Sequence, residues 1–148
     1  LKQLGMKRAQ LTLFGGQETT DYFTGRRGAY DEILRTIELL IESRISPRIQ
    51  VFVYKDNINE MNSIVELIVN SHLVERCRDF GGEFGCFVHQ GSCDGENERQ
   101  YDSWVTPAEL SLIPPMLTEF TLKHFGKSSL DEVFGDTEPS LYARRSAD

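Results

Sequence analysis

The chain has 148 residues and a formal net charge of −7. This length suits one domain with a buried core, and the acidity argues against a general nucleic-acid-binding surface, because phosphate binding requires clustered basic side chains. The sequence contains no apolar run near the roughly 20 residues that a membrane helix needs, and its first residues lack the pattern of a signal peptide. We therefore expect neither a nucleic-acid nor a membrane partner.

The three cysteines, Cys77, Cys86 and Cys93, are odd in number and irregularly spaced. A disulfide framework is not expected, and a cytoplasmic location fits this cysteine usage best. A metal or thiol site made from Cys86, His89 and Cys93 is an alternative, but the spacing matches no structural zinc pattern. A strand would also point Cys86 and His89 to opposite faces, so Cys86 is interpreted as a small core residue.

The first predicted element is a strand from Arg8 to Phe14, in which apolar and polar residues alternate. One set of side chains is Gln10, Thr12 and Phe14. In a barrel this set would point inward, and the polar pair would need hydrogen-bond partners there. In an open sheet the same face would meet solvent.

The segment from Gly15 to Gly28 is predicted to be a loop at the carboxyl end of that strand, where α/β folds place their ligands. It has four glycines but neither a Walker pattern nor a dinucleotide-binding fingerprint. Its basic pair, Arg26 and Arg27, could bind a carboxylate in a bidentate way. A solvated pair of surface arginines is the competing interpretation.

The next elements repeat the alternation of strand and helix. Residues 30–44 have the apolar spacing of an amphipathic helix, and residues 48–54 form a strand that is mostly apolar on both faces. A long helix follows, capped by Asp56 or Asn57, and it either continues or breaks near Asn70. This order predicts that neighbouring strands are parallel.

A third strand is predicted around residues 83–89, followed by an acidic loop over residues 90–103 that lacks the spacing of a calcium loop. Thr106, with proline next to it and glutamate three residues after it, begins a helix that should run to about Phe125. The two prolines at 114 and 115 would kink or split this helix.

We divide the chain into residues 1–126, an α/β unit, and residues 127–148, a short helix and a loosely ordered tail. The unit contains three consecutive βα repeats with parallel strands. This is half of a (β/α)6-type or (β/α)8 barrel, or a small open parallel sheet. The opening residues 1–5 read as the end of a helix that terminates at a glycine, so we expect that the chain was cut from something longer.

Three segments resemble the carboxyl-terminal half of the radical S-adenosylmethionine (radical SAM) core, over roughly residues 4–125. The strand Gln10-Leu-Thr-Leu-Phe-Gly15 is similar to the family's strand that ends in Ser-Leu-Asp-Gly. Residues 21–30 have an aspartate, a basic residue and a glycine before an aromatic, as the family does. Residues 48–57 match a later strand, and Asn59-Glu60 open the next helix.

The resemblance implies a fold and a chemistry. In that family a six-strand partial barrel holds a [4Fe–4S] cluster and S-adenosylmethionine (SAM), and an adenosyl radical abstracts hydrogen from the substrate. By position, Thr12 matches a hydroxyl that touches the cofactor, Arg26 a basic residue that binds its carboxylate, and Val88 an apolar support for its adenine. An ungapped register places Thr24, not Arg26, at the basic position.

The chain also departs from the family. Phe14 replaces an aspartate, and the cluster motif Cys-x3-Cys-x2-Cys is absent. The resemblance therefore implies an enzyme fragment whose cluster ligands lie outside this chain, with a small-molecule or peptide substrate. The alternative is a non-catalytic α/β module that binds a small molecule or a protein. A half barrel would expose two sheet edges, which favours a homo-oligomer, whereas a free-standing module should be folded and monodisperse alone.

Overall fold

A computed structural model describes residues 5–90 and 103–135. The strands are β1 Arg8–Leu13, β2 Ser46–Phe52 and β3 Gly85–His89. The helices are α1 Gln17–Thr24, α2 Ala29–Glu42, α3 Met61–Asn70, α4 Leu73–Asp79, α5 Pro115–Phe125 and α6 Leu130–Phe134, with short 3-10 turns at Ile58–Glu60 and Pro107–Leu112. The predicted helix end at residues 1–5 falls almost wholly outside the described residues. The acidic loop with Cys93 and the tail after residue 135 do as well.

The three strands form one parallel sheet in the order β1-β2-β3. Thr12 is aligned with Gln50 across the first strand pair, and Gln50 with Phe87 across the second. Helices occupy both connections between the strands. The prediction of an α/β fold with consecutive βα units and parallel strands is thus confirmed.

One face of the sheet forms the hydrophobic core. Its central row is Leu13, Val51 and Val88, all aligned in the two ladders and fully buried. The inward residues of α2, α3 and α5 belong to the same core cluster, among them Ile37, Ile41, Met61, Ile64, Ile68 and Leu117. Burial of each large aliphatic side chain contributes roughly 1.5–3 kcal/mol, so this face supplies most of the fold's stability.

The opposite side of the sheet, called the second face below, has a different composition. Its side chains alternate with those of the core and are Gln10, Thr12, Phe14, Arg48, Gln50, Phe52, Phe87 and His89. It is polar in the middle of β1 and β2 and aromatic toward the carboxyl ends of the strands. Most of these side chains are only partly buried.

The prediction of a loop from Gly15 to Gly28 is wrong, because the segment contains α1. The sequence of α1, QETTDYFT, has no apolar stripe, so it carries little helical signal. Contacts with the rest of the fold stabilise it instead. Thr20 is buried, and its hydroxyl bonds to the backbone at Phe14 and Gly15. Phe23 stacks on Phe14 at 5.2 Å between ring centroids.

The predicted split of the helix after Thr106 is confirmed, and of the two alternatives for the helix after β2 the structure shows the break. The helix after β2 breaks between α3 and α4, where His72 takes a left-handed conformation with φ of 50°. The segment after Thr106 splits before Pro115 into a 3-10 turn and α5. Strand β2 begins at Ser46, two positions earlier than predicted, because Arg8 of β1 pairs with Ser46. No described helix is both long and apolar enough to cross a bilayer.

Candidate functional site

Asn57 joins the carboxyl ends of β1 and β2. Its side chain is fully buried, and its Nδ2 group donates to the carbonyl oxygens of Phe14 and Phe52, each at 2.8 Å. Its Oδ1 atom accepts from the backbone N–H of Tyr54 at 2.6 Å. Asn57 occupies the cap position before the 3-10 turn, one of the two positions predicted for a cap, but its side chain makes no cap hydrogen bond. It fixes instead the edge of the sheet where a ligand would bind.

Thr12 lies in the middle of the second face and is connected to β2. Its hydroxyl donates to Oε1 of Gln50 at 3.4 Å, and the same oxygen accepts from Nε2 of Gln10 at 2.9 Å. The polar pair of β1 therefore has the partner that a barrel interior would require. Within the described ranges, Nε2 of Gln50 donates no hydrogen bond, so it is an available donor on this face.

Aromatic rings surround the carboxyl edge. Phe52 lies near Phe14 at 5.8 Å, and Phe23 of α1 stacks on Tyr54 at 5.6 Å. At the end of β3, His89 contacts rings of both α5 and α6. Burial lowers the pKa of His89, and a hydrogen bond to the backbone of Gln90 acts in the opposite direction. The imidazole is therefore neutral at pH 7 and can stack among apolar rings.

Gln90 follows at the carboxyl end of β3 and is only 2% exposed. Neither Nε2 nor Oε1 of its side-chain amide has a hydrogen-bond partner in the described part of the chain. A buried, unpaired amide costs free energy, so native proteins satisfy such groups with a ligand, an ordered water or a rearranged neighbour. The carboxyl edge thus contains one polar group that a bound molecule would satisfy.

Arg26 lies in the turn between α1 and α2. Its guanidinium pairs with Glu32 at 2.5 Å, and both side chains are more than half exposed, at 59% and 53%. Asp21 of α1 accepts hydrogen bonds from the backbone N–H groups of Tyr30 and Gly28, each at 2.9 Å. These bonds lower the pKa of Asp21. The aspartate of this segment therefore shapes the start of α2.

Val88 is fully buried in the core row, next to Val51. Its side chain lies on the opposite face of the sheet from that of Thr12, because Thr12 belongs to the row of Gln50 and Phe87. Thr12 and Val88 therefore do not share one surface through their side chains. The assignment of Thr12, Arg26 and Val88 to cofactor binding stays a prediction.

Metal ligands do not converge in the described residues. No group of three or more histidine, cysteine, aspartate or glutamate side chains there could hold a metal ion. Cys77 and Cys86 are both buried and free, and burial raises the pKa of Cys86 to about 12. Cys86 lies in the core while His89 lies on the second face, so these two diverge as their positions in the strand predict. The described residues do not fit an iron–sulfur cluster.

Sequence reasoning missed Gln50, Asn57 and Gln90 as components of this edge. Gln50 could have been found, because it is the polar residue of β2 that shares a face with Thr12 once the two strands are placed in register. Asn57 looks like an ordinary helix cap in the sequence. Nothing in the sequence indicates that the amide of Gln90 is buried without a partner.

Together, the fold and this edge define an open parallel α/β sheet with a polar and aromatic second face at the carboxyl ends of its strands. No protein-family model matches the chain. A stretch of 77 residues, 52% of the chain, is 29% identical to Fe-coproporphyrin III synthase of Methanosarcina barkeri (strain Fusaro / DSM 804), a radical SAM enzyme. The match spans about a fifth (19%) of that protein. This similarity hints at a distant and partial relation to the radical SAM superfamily.

Proposed function

We propose that the chain is the later part of a radical SAM barrel, with β1 to β3 as three of its strands. The observation that carries this proposal is the similarity to the Methanosarcina enzyme over 77 residues. The parallel order of three consecutive βα units supports it, because a barrel of this kind is built from such units. The substrate of the whole protein would be a small molecule or a peptide.

The donor groups on the second face suit a ligand with hydroxyl, amine and carboxylate groups, as SAM has. The hydroxyl of Thr12 and the free Nε2 donor of Gln50 would contact its polar groups, and the unpaired amide of Gln90 would gain a partner nearby. When bound, the cofactor supplies the hydrogen-abstraction chemistry of the family. The ligands of its [4Fe–4S] cluster are expected outside this chain.

Arg26 can bind the carboxylate of SAM with little loss of folding free energy. An exposed ion pair such as that of Arg26 and Glu32 contributes about 0–1 kcal/mol, so the carboxylate of a ligand could replace Glu32 as its partner. The guanidinium offers two parallel donors to a carboxylate, which a lysine could not do. The basic role that the resemblance assigns to this position is therefore chemically feasible.

Calorimetric titration of SAM into the full protein tests this proposal. Thr12→Val keeps the shape of the side chain and removes the hydroxyl, and we expect SAM affinity to fall about threefold to tenfold, since one neutral hydrogen bond contributes roughly 0.5–1.5 kcal/mol. Thr36→Val is the matched control, because Thr36 is an exposed residue of α2. Equal affinities in the Thr12 variant and the parent would remove Thr12 from the site. Absence of SAM binding by the folded parent would refute the proposal.

A non-catalytic α/β module is the second candidate function. It is favoured by the way in which α5 covers β3: the hydroxyl of Thr121 accepts from the backbone N–H of Val88 at 2.9 Å. This hydrogen bond satisfies one outward N–H group of β3, so at this position the strand needs no further strand beside it. Light scattering distinguishes the candidates together with the SAM titration. The module should be folded, of uniform size and without affinity for SAM.

A further inference from the structure

A second concavity lies at the other end of the sheet, near the amino ends of β1 and β3 and beside α5. Its volume is about 290 Å³. The charged or titratable side chains that line it are Arg8, Arg48, Glu83, Cys86, Lys123 and His124, with Phe120 among the apolar ones. None of these residues belongs to the carboxyl edge described above. Arg48 lies on the second face, two positions before Gln50 and toward the amino end of β2, so the concavity is a candidate site next to that edge and distinct from it.

The lining carries an excess of positive charge. Three cationic side chains face one carboxylate, and that carboxylate, Glu83, already forms an ion pair with Lys123. Within residues 5–90 and 103–135, neither Arg8 nor Arg48 lies within salt-bridge distance of a carboxylate, although Glu83 also interacts electrostatically with Arg8. On a chain with a net charge of −7, two guanidinium groups without a salt bridge in one concavity form a local positive potential that attracts anions.

Arg48 is held in place before any ligand binds. Its Nε atom donates to Oε1 of Gln10 at 3.1 Å, and its guanidinium lies over the ring of Phe87 at 5.9 Å from the centroid. Gly85 leaves space for its aliphatic stem, since a Cβ atom there would come within 3.1 Å of Cγ of Arg48. Because the side chain is already ordered, its terminal N–H groups can bind an oxyanion at a small entropic cost.

His124 responds to the same charges. Burial lowers the pKa of this histidine, and the positive charges of Arg48 and Arg8 lower it further. The neutral ring stacks on Phe87 with 3.9 Å between centroids. His124 is therefore a natural reporter, because an anion bound beside the two arginines would offset their effect on the imidazole.

We propose that this concavity binds an oxyanion, a phosphate or a carboxylate group, with Arg48 as its main bidentate contact and Arg8 as a second cation. Guanidinium groups match the geometry of both oxyanions, and the aromatic lining suits a ligand with an apolar body. The site does not depend on the proposed SAM chemistry, since it lies at the amino end of the sheet.

The test is an NMR titration of the histidine ring protons of the full protein with two probes, inorganic phosphate and benzoate. Binding should raise the pKa of His124. The chemical shifts of the ring protons of His72, an exposed residue at the start of α4, should not change when the probe is added at constant pH. Arg48→Gln should weaken binding of the probe by about tenfold or more, because a charge-assisted bidentate contact is lost. Arg8→Gln should weaken probe binding less. The matched control is Arg35→Gln, at an exposed position of α2, and it should leave probe binding unchanged.

The two probes separate the sources of the oxyanion. A response to phosphate alone assigns the site to phosphorylated ligands, and a response to benzoate alone assigns it to aromatic carboxylates. A response to both supports a general oxyanion site. The proposal would be overturned if neither probe raised the pKa of His124 at millimolar concentration. Equal weakening by Arg48→Gln and Arg35→Gln would do so too, since it would indicate unspecific charge screening.

Discussion

The side chain of Asn57 offers the sharpest test of how this fold holds its carboxyl edge. Asn57→Ala removes two donated hydrogen bonds to carbonyl oxygens and one accepted from an amide, all at a fully buried position. Each such bond contributes about 1 kcal/mol net, and unpaired buried groups cost more. We expect the free energy of unfolding to fall by about 3 kcal/mol, a large share of the 5–15 kcal/mol typical of a domain.

Urea unfolding followed by the fluorescence of Trp104, the single tryptophan, measures this loss. With an m-value of about 2 kcal/mol/M, the midpoint should fall by about 1.5 M while the slope stays unchanged. Asn59→Ala is the matched control, because Asn59 is exposed in the adjacent 3-10 turn. A loss below about 1 kcal/mol for Asn57→Ala would refute the assignment of Asn57 as the link between the two strands.

Asn57→Asp adds a dependence on pH. An aspartate there would face the carbonyl oxygens of Phe14 and Phe52, so its ionised form is disfavoured and its folded pKa lies above the unfolded value of about 3.9. A raised folded pKa means that stability is retained below pH 3.9 and is lost as pH rises toward the folded pKa. The free energy of unfolding of this variant should therefore fall further below that of the parent as the pH rises from acidic to neutral. A deficit that is the same at every pH would contradict this reasoning.

Three further predictions follow from single contacts. Thr121→Val leaves the buried N–H of Val88 without its acceptor and should cost about 1–3 kcal/mol in urea unfolding. The thiol of Cys86, whose pKa is raised to about 12, should resist iodoacetamide at pH 8 until urea is added, as mass spectrometry of its peptide would report. Arg76 lowers the pKa of Glu38, so Glu38→Gln should cost at most about 1 kcal/mol at pH 7, and this cost should disappear as the pH falls through the folded pKa of Glu38.

The sequence was informative where periodicity is strong. Helix α2 and strand β2 have their apolar residues at regular spacing, and both were located to within two positions at each end. The split before Pro115 follows from the missing N–H of proline, whereas the break between α3 and α4 is one of two outcomes that the sequence leaves open. Residue spacing was sufficient to locate α2 and β2 because each of them buries one continuous row of apolar side chains.

The carboxyl edge was less predictable because it depends on contacts between distant residues. Helix α1 is stabilised by the stacking of Phe23 on rings of two other segments rather than by its own pattern. The partner of Thr12 lies 38 positions away in β2, and only the strand register places it there. Asn57 follows the cap preference of its residue type in the sequence, but the carbonyl oxygens of two strands offer it better partners.

The contact between Thr121 and Val88 has a consequence for the number of copies that can associate. Helix α5 occupies the outer side of β3, whereas β1 has a neighbouring strand on one side only in the described part of the chain. If β1 has no further strand beside it, as in the non-catalytic module, each copy can therefore offer a single strand edge to another chain. Two copies joined through β1 would satisfy both edges and end the assembly as a closed pair, because continued growth into a fibre needs two free edges on every unit.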